Sequence, residues 1–413
     1  MYIKRKIEDT VFKYINSPEI IAIVGARRSG KTTLLEKIYK SLDDAVFITF
    51  EDQKVLNLFE KDIDNFIKLY IADKKYLFID EFQYSKNGGK ILKYIYDLHH
   101  IKIFISGSSA IDLTVNALKF LVGRIFVFDL YPFNFEEILS FKDPDLLKIY
   151  QKEKINLQNI DKEKPAISEN ILNKINKYYD EYIIWGGYPR VVLAKSDDEK
   201  KEILKNIYNT YFLREVKNIL GLVDDYKLAN LIKGLALQVG NLIDYSELCN
   251  LSGISYPTLK RYLNFLNKTY VCDFVRPFYK NKRTEIVKNP KVYFIDTGLL
   301  NYIIEDFRKL DDRPDSGGLL ENSLYQQLIK DGNKINYWRT KAKNEIDFII
   351  SLEEGKILAL EVKKNADKIK TDKTAALFRG KYPEAELIFA YYKGILKKYR
   401  TGDDCIVPVG LIG

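Results

Sequence analysis

Five short apolar runs occur in the first third of the chain, and in each the apolar residues are continuous rather than alternating with polar ones. The runs cover residues 20–24, 45–50, 76–79, 102–105 and 124–128. Continuous apolar runs are typical of central parallel strands that helices cover on both faces. The segments between them, of about 10 to 25 residues, are long enough for crossover helices. The pattern therefore predicts a doubly wound α/β domain with a parallel sheet.

The pattern changes further along the chain. Residues 141–180 are rich in Lys, Asn and Asp, which predicts exposed helix and loop. Residues 180–225 have a helical pattern that Gly186-Gly187-Tyr188-Pro189 interrupts. A compact helical module ending in strands comes next, followed by a helix, a cluster of strands and a further α/β segment. The domain boundaries that we predict are 1–140, 141–225, 226–300 and 301–413.

Composition narrows the possible chemistry. The chain has 413 residues, of which 46% are hydrophobic and 30% charged, as in ordinary globular proteins. Its three cysteines are far apart and its two histidines are adjacent, which excludes a zinc cluster and a Ser-His or Cys-His hydrolase. Metal chemistry then requires oxygen ligands, which favours Mg²⁺ or Mn²⁺. Because we find neither an apolar leader nor a run of about 18 apolar residues, we expect a cytoplasmic protein without membrane contact.

A glycine-rich segment directly follows the first predicted strand. Its sequence over 25–32, GARRSGKT, fits the phosphate-loop pattern G-x-x-x-x-G-K-[ST]. In this pattern, backbone N–H groups wrap the phosphates and a helix N-terminus adds positive charge. We expect Lys31 to reach the β- and γ-phosphates of ATP and Thr32 to ligate Mg²⁺. The residues predicted to line the nucleotide are Gly25, Arg28, Ser29, Gly30, Lys31, Thr32 and Thr33.

The third predicted strand ends in two carboxylates, Asp80 and Glu81. A carboxylate at the carboxyl end of an apolar strand can hold the Mg²⁺ shell, and the next one can polarise a water for attack on the γ-phosphate. We therefore predict that Asp80 serves the metal and that Glu81 is the catalytic base.

Two further residues are catalytic candidates. The fourth strand ends in Ser106-Gly107-Ser108-Ser109, and we select Ser108 as a hydroxyl that senses the γ-phosphate. Arg124 is the candidate for stabilising transition-state charge, either in its own chain or in a neighbouring one. A surface arginine at a strand edge is an equally good interpretation of Arg124.

A helix-turn-helix is predicted in the middle of the chain. A short helix that begins at Tyr245 stops at Gly253, and Ser255 caps a second helix with Pro257 in its first turn. The net charge of +9 is mild, but cations cluster in the following hairpin, where Lys291 also lies, as in a wing that contacts DNA phosphates. The residues predicted to contact DNA are Thr258, Lys260, Arg261, Lys280, Lys282 and Arg283. Winged helices also serve as protein–protein modules, and that alternative stays open.

The last part of the chain brings carboxylates together. If residues 353–355 form a hairpin loop with glycine in the left-handed conformation, Leu352 pairs with Lys356. Asp347 then lies opposite Glu361, with the two Cβ atoms about 5 Å apart, and Lys363 lies on the same face. Two opposed carboxylates require a cation between them, either Lys363 or a divalent metal. A loop shorter by one residue would place Asp347 and Glu361 on opposite faces.

The order Glu, Asp, Glu-x-Lys on a helix and three strands resembles the PD-(D/E)XK nuclease fold, with the helix beginning at Glu321. The resemblance implies that Asp347 and Glu361 bind Mg²⁺, that Lys363 orients the attacking water and that Glu321 supports the metal. The alternative is a structural ion pair between Glu361 and Lys363 in an inactive relic.

The motifs GARRSGKT, LFIDEFQ, ISGSS and LVGR followed by DLYPFNFEEIL resemble those of the prokaryotic, archaeal and bacterial, AAA-type ATP-binding proteins. The resemblance continues through WGGYPR, YFIDTGLL, LLEN and EVKK and covers nearly the whole chain. It implies an AAA-like P-loop ATPase domain, a winged helix and a small α/β nuclease-like domain. Residues 141–225 would then be a helical lid or linker.

Together these features predict a Mg²⁺-dependent ATPase that binds DNA without sequence preference and has a nuclease-like C-terminal domain. The alternative is a nucleotide-switch scaffold that binds protein partners and has an inactive nuclease fold. Cleavage of DNA would separate the two hypotheses. An oligomer is compatible with either.

Overall fold

A computed structural model describes most of the chain. The described residues are 2–107, 118–157, 167–210, 225–279, 283, 285, 288–352, 355–366, 369, 373–394, 400–401 and 404–413. They group into two compact units, one of residues 1–133 with 262–271 and one of residues 134–261 with 272–413. The four domains expected from the sequence stay predictions.

In its described residues, the first unit contains a five-stranded sheet and the five helices that lie wholly within it. Its strands are β1 (Ile20–Val24), β2 (Ala45–Thr49), β3 (Tyr76–Asp80), β4 (Lys102–Gly107) and β5 (Ile125–Asp129). Its helices are α1 (Lys6–Lys13), α2 (Lys31–Tyr39), α3 (Gln53–Lys61), α4 (Ile63–Tyr70) and α5 (Gly88–Leu98). The strand order is β2-β3-β4-β1-β5, and every pair is parallel. The predicted parallel sheet is confirmed.

The core of this unit explains why the strands read as continuous apolar runs. Every residue of β1 is buried, because the strand is central in the sheet and helices pack on it. Leu34 and Leu35 of α2 lie in the same core as Phe78 and Phe104, whose rings stack with centroids 4.4 Å apart. Since the strands are parallel, the segments that follow β1, β3 and β4 meet at one edge of the sheet.

The second unit is mainly helical before it ends in a second sheet. Its helices are α6 (Phe135–Lys142), α7 (Pro144–Glu153), α8 (Glu169–Trp185), α9 (Pro189–Val192), α10 (Asp197–Ile207), α11 (Asp225–Leu237), α12 (Tyr245–Ser252), α13 (Tyr256–Lys268, of which 262–268 group with the first unit), α14 (Thr297–Ile304), α15 (Ser316–Lys330) and α16 (Lys373–Lys381). A two-stranded sheet pairs β6 (Cys272–Val275) with β7 (Lys291–Phe294).

Helix α8 buries Leu172, Ile175 and Tyr179, so residues 169–180 form a packed helix rather than the exposed region that we expected.

The second sheet has six strands. They are β8 (Ile335–Arg339), β9 (Glu345–Ser351), β10 (Ile357–Asn365), β11 (Ala385–Lys393), β12 (Arg400–Thr401) and β13 (Asp404–Pro408), in the order β12-β13-β11-β10-β9-β8. Strands β8, β9 and β10 are antiparallel neighbours, whereas β11 is parallel to both β10 and β13. The three predicted strands β8 to β10 are confirmed. Glu321 lies in the middle of α15 and not at its start.

Two of the sequence motifs, WGGYPR and YFIDTGLL, contact each other in the fold. The buried carboxylate of Asp296, in the motif YFIDTGLL, accepts hydrogen bonds from the N–H groups of Gly187 (2.7 Å) and Leu299 (3.0 Å). Gly186, in WGGYPR, has φ +71°, and a Cβ atom there would lie 2.1 Å from an Asp296 oxygen. Glycine is therefore required, because the carboxylate fills the space of a side chain. These two motifs stabilise the fold.

Each helix in the described part of the chain is too short or too polar to cross a bilayer.

Candidate functional site

The segment between β1 and α2 has the backbone of a phosphate-binding loop. Gly25 has φ +153°, and a Cβ atom there would lie 2.1 Å from the carbonyl oxygen of Leu130, so only glycine fits. Gly30, with φ +99°, caps the N-terminus of α2, and Arg28 is also left-handed with φ +66°. Three residues of the loop thus have positive φ, and left-handed turn residues at a helix N-terminus are typical of loops whose backbone N–H groups bind anions.

Lys31 is buried inside this loop. Its ammonium group donates hydrogen bonds to the carbonyl oxygens of Gly25 (3.1 Å) and Ala26 (3.0 Å). Burial lowers the pKa of Lys31 to about 8, although the charges of Glu81 and Asp80 act in the opposite direction. Within the described residues, the hydrogen-bond partners of the ammonium group are backbone carbonyl oxygens, which bind it more weakly than a charged oxygen would.

Side-chain oxygens connect the loop to the ends of β3 and β4. The Thr32 hydroxyl donates to Oδ2 of Asp80 at 2.8 Å, and the Ser106 hydroxyl donates to Oδ1 of the same carboxylate. Hard oxygens from a hydroxyl and a carboxylate are the donors that Mg²⁺ prefers. The sequence prediction that Thr32 and Asp80 lie together is consistent with this geometry.

Glu81 follows directly in an unusual backbone conformation. Its φ is +54°, which non-glycine residues rarely adopt and which often marks functional positions. Its N–H donates to Oγ of Ser106 at 3.1 Å, and the Gln83 side-chain amide donates to its carboxylate. Ser106 thus fixes the backbone of Glu81 and Gln83 orients its carboxylate, and the role of Glu81 as catalytic base stays a prediction.

Ser106 is a residue that the sequence analysis did not select. It binds both Asp80 and the backbone of Glu81. The register predicts this contact, because Ile79 pairs with Ile105 and the next residue on each strand must then be adjacent. Ser108, which we selected instead, lies outside the described residues. Among the predicted lining residues, Arg28 and Thr33 are exposed, whereas Ser29 is buried and its hydroxyl has no partner in the described part of the chain.

Arg5 is a second residue that was missed. It is buried, and its guanidinium donates to the carbonyl oxygens of Ser29 (2.8 Å) and Tyr131 (2.6 Å). The guanidinium also lies 4.6 Å from the ring centroid of Phe133. Arg5 therefore fastens the phosphate loop to the segment that follows β5.

We expect Arg5→Met to raise the KM for ATP about tenfold while kcat changes little. Two charge-assisted hydrogen bonds to backbone would be lost, each worth about 1.5–3 kcal/mol, and the loop would lose its preformed shape. Steady-state kinetics of Arg5→Met beside Lys6→Met, an exposed neighbour, measures this. A lower melting temperature with an unchanged KM would mean that Arg5 only stabilises the fold.

Arg124 lies at the wrong edge of the sheet for its own nucleotide site. It precedes β5, and its carbonyl accepts from the N–H of Ile20 at the beginning of β1. The phosphate loop follows the other end of β1, about five residues or roughly 16 Å away. The Arg124 guanidinium instead pairs with Asp97 at 3.0 Å. Action on the nucleotide of its own chain is therefore excluded, and action on a neighbouring chain stays a prediction.

The two helices of the predicted helix-turn-helix are present as α12 and α13. Gly253, with φ +65°, ends α12, and the inward positions Leu259, Leu263 and Leu266 are buried as predicted. Lys260 and Arg261 are exposed on α13, and Thr258 is partly exposed. Arg283, which we expected in a basic hairpin, is exposed but helical, whereas Lys280 and Lys282 lie outside the described residues.

The register of the C-terminal carboxylates agrees with the sequence analysis. The Leu352 N–H donates to the Lys356 carbonyl at 2.8 Å, and Gly355 has φ +77°. The pairing continues to Leu360 opposite Phe348, so the next pair in register is Glu361 with Asp347. The Lys363 ammonium donates to Oε1 of Glu361 at 2.6 Å. Asp347, Glu361 and Lys363 therefore share one face, as predicted.

A second lysine, Lys291, lies beside Asp347, which corrects the position that the sequence analysis gave to this lysine. Lys291, which we expected on an exposed wing, is 1% exposed and reaches Glu345 at 2.6 Å, Glu321 at 3.3 Å and Asp347 at 3.6 Å. It begins β7, and its side chain points into the unit because that face of the strand packs on α15. Burial opposes the charged form, but Tyr293, Glu321 and Asp347 together raise the pKa of Lys291 above its ordinary value.

A divalent metal does not fit this cluster as it is arranged. The Asp347 carboxylate accepts from the Val362 N–H through Oδ2 (2.8 Å) and faces Lys291 through Oδ1. Within the described residues, no group of three or more acidic, His or Cys side chains is placed to hold a metal. The sequence expectation that Asp347 and Glu361 bind Mg²⁺ is therefore not supported by the geometry.

The first unit has the features of a P-loop nucleotide-binding fold, namely a parallel sheet with a phosphate loop after β1 and an acidic pair after β3. Residues 17–139 match the family described as AAA domain. This part of the chain is thus similar to AAA domains. Residues 176–311 and 316–410 match two families described as domains of unknown function, DUF8612 and DUF4143.

Similar whole chains occur in archaea and bacteria. An uncharacterized protein of Methanocaldococcus jannaschii is 29% identical over 355 residues, which cover 82% of this chain and 74% of the relative. An uncharacterized protein of Haemophilus influenzae is 28% identical over 397 residues, covering 88% and 90%.

Two solved structures resemble the chain at lower identity. A Walker-type ATPase of Pyrococcus abyssi is 16% identical with a TM-score of 0.47, covering 73% of this chain and 96% of that one. The AMPPCP-bound DnaA of Aquifex aeolicus is 16% identical with a TM-score of 0.29, covering 64% and 88%.

Proposed function

We propose that the protein binds and hydrolyses ATP in a Mg²⁺-dependent reaction at the edge of the first sheet, and that it binds DNA through α13. The observation that carries the first part is the hydrogen-bonded series Thr32–Asp80–Ser106–Glu81 beside the buried ammonium group of Lys31. These residues come from the start of α2 and from the carboxyl ends of the neighbouring parallel strands β3 and β4, so the fold itself brings them together.

Each residue of this series has a distinct role in the proposal. Lys31 would leave the carbonyls of Gly25 and Ala26 and bind the β- and γ-phosphate oxygens. Thr32 and Asp80 would hold Mg²⁺, which when bound neutralises phosphate charge. Glu81 would accept the proton of the attacking water, and Ser106 would keep Asp80 and Glu81 in place. Gly25 and Gly30 leave room for backbone N–H groups to approach the phosphates.

The DNA part of the proposal is supported by the exposed cations of α13. Lys260 lies 4.8 Å from the ring centroid of Tyr256, and Arg261 is its exposed neighbour. Cations on the second helix of a helix-turn-helix are suited to phosphate contacts, which bind DNA without reading its sequence.

We expect the double variant Lys260→Ala with Arg261→Ala to weaken duplex binding about tenfold and to flatten the salt dependence. Each lost phosphate contact lowers the slope of log K against log salt by about 0.9. Fluorescence anisotropy at several salt concentrations measures this, with Lys205→Ala, an exposed lysine of α10, as the control. If the slope of log K against log salt is the same for the parent and the double variant, α13 is not the DNA-binding surface.

Coupling between the two activities is tested by ATPase rates with duplex DNA, with single-stranded DNA and without DNA. We expect at least one DNA form to change kcat. An identical rate in all three conditions would count against a DNA-coupled ATPase.

A second candidate function is a nucleotide-switch scaffold that binds protein partners and has an inactive nuclease fold. The position of Lys291 among Glu321, Glu345 and Asp347 favours it, since a nuclease of this pattern needs metal there. The scaffold predicts no cleavage of plasmid or branched DNA with Mg²⁺ or Mn²⁺. Cleavage that Asp347→Ala abolishes would refute it.

A further inference from the structure

Lys291 contacts Asp347, one of the two carboxylates that the resemblance to a nuclease would assign to a metal ion. It enters from β7, a strand outside the six-stranded sheet, and reaches acidic side chains of α15 and β9. Its side chain is 1% exposed, so water does not separate its charge from these carboxylates. A buried ammonium with several carboxylates around it is a strong local cation.

The charges of the cluster are nearly balanced within the chain. The carboxylates are Glu321, Glu345, Asp347 and Glu361, and the cations that pair with them are Lys291, Arg339 and Lys363. The three cations therefore offset all but one of the four negative charges.

The carboxylate oxygens are also largely engaged by the protein. Oε2 of Glu321 accepts from the Tyr293 hydroxyl at 3.0 Å as well as from Lys291. Glu345 lies between Lys291 and Arg339. Among the carboxylate oxygens of this cluster, Oε2 of Glu361 is the one that is buried without a hydrogen-bond partner in the described chain. A single oxygen does not provide the several ligands that Mg²⁺ or Mn²⁺ requires.

We propose that the ammonium group of Lys291 is the resident cation of this cluster and excludes divalent metal from it. The acidic face of the C-terminal sheet is then a metal-free ionic core that joins β7, α15 and β9. Removing the lysine side chain should convert it into a metal site, because Asp347, Glu321 and Glu345 would be left without their common cation. The inference concerns the second unit alone and does not depend on the nucleotide site.

The test is a titration of nucleotide-free protein with Mn²⁺, with free Mn²⁺ measured by electron paramagnetic resonance. We expect the parent and Asp347→Asn to bind the same number of ions. Asparagine keeps an oxygen for the Val362 N–H, so this variant preserves the hairpin. Any Mn²⁺ that binds weakly at the phosphate loop binds equally to both proteins and does not contribute to the difference between them. One Mn²⁺ more in the parent than in Asp347→Asn would overturn the proposal.

The second arm is a gain of binding. We expect Lys291→Ala to bind one Mn²⁺ per chain more than the parent, and the added Asp347→Asn change to abolish that ion. Lys288→Ala, at an exposed position just before β7, should behave like the parent. A folded Lys291→Ala protein without the extra ion would overturn the role of Lys291 in exclusion. If Lys291→Ala does not fold, the comparison of the parent with Asp347→Asn decides alone.

Discussion

Lys31→Ala is expected to weaken the binding of ATP by about 30-fold to several thousand-fold. The variant loses a buried charge contact to the phosphates, which costs about 2–5 kcal/mol. Isothermal titration with a non-hydrolysable ATP analogue and Mg²⁺ measures the loss.

The fold of this variant should persist, which makes the loss interpretable. Burial lowers the pKa of Lys31 to about 8, so the folded protein disfavours the charged form that the unfolded chain keeps up to its ordinary pKa near 10.5. Near neutral pH the positive charge of Lys31 therefore lowers the free energy of unfolding, and the Lys31→Ala change removes this destabilising contribution. The control is Lys40→Ala, whose ammonium group pairs with Glu36 at the protein surface. Equal affinity of the parent and Lys31→Ala would exclude the loop as the phosphate site.

Glu81→Gln is expected to lower kcat by about 10²- to 10⁴-fold while ATP still binds. The change keeps the shape of the side chain but removes the group that accepts the proton of the attacking water, and general bases contribute about that factor. Single-turnover hydrolysis gives the chemical step directly, and titration of the same variant gives the affinity.

The control for Glu81 is Glu51→Gln. Glu51 is an exposed carboxylate just after β2, at the same edge of the sheet, so it tests whether any acid there affects the rate. If Glu81→Gln hydrolyses ATP as fast as the parent, another group must activate the water. If it loses binding as well, Glu81 would be a structural residue that shapes the loop.

The sequence predicted the nucleotide site because the relevant signals are local. A phosphate loop is a contiguous motif, and a carboxylate after an apolar strand has a known position in a parallel sheet. The pairing of Asp347 with Glu361 was also predictable. Gly355 sets the loop length and therefore the register, and the alternation of side chains along the strands then places both carboxylates on one face.

The residues that were missed depend on contacts distant in the chain. Arg5 belongs to no motif, and its partners are the backbone carbonyls of Ser29 and Tyr131, which sequence does not reveal. Lys291 is 30 residues before the first carboxylate that it meets, Glu321. Among the lysines of a basic hairpin, nothing in composition separates the one that points inward.

The distance of Arg124 from the nucleotide site of its own chain could have been predicted from strand direction. A residue that precedes a parallel strand lies at the amino edge of the sheet, and phosphate loops lie at the carboxyl edge. The same rule favours Ser106, the direct neighbour of Asp80 across the β3–β4 pair, over a serine further along the chain.

The most direct test of the account is phosphate release from ATP by the purified full-length chain, with Mg²⁺ and with the metal chelated. The account predicts steady turnover that requires Mg²⁺ and falls to background in both Lys31→Ala and Glu81→Gln. Turnover that persists equally in these two variants, or none in the parent under any nucleotide and metal condition, would contradict it.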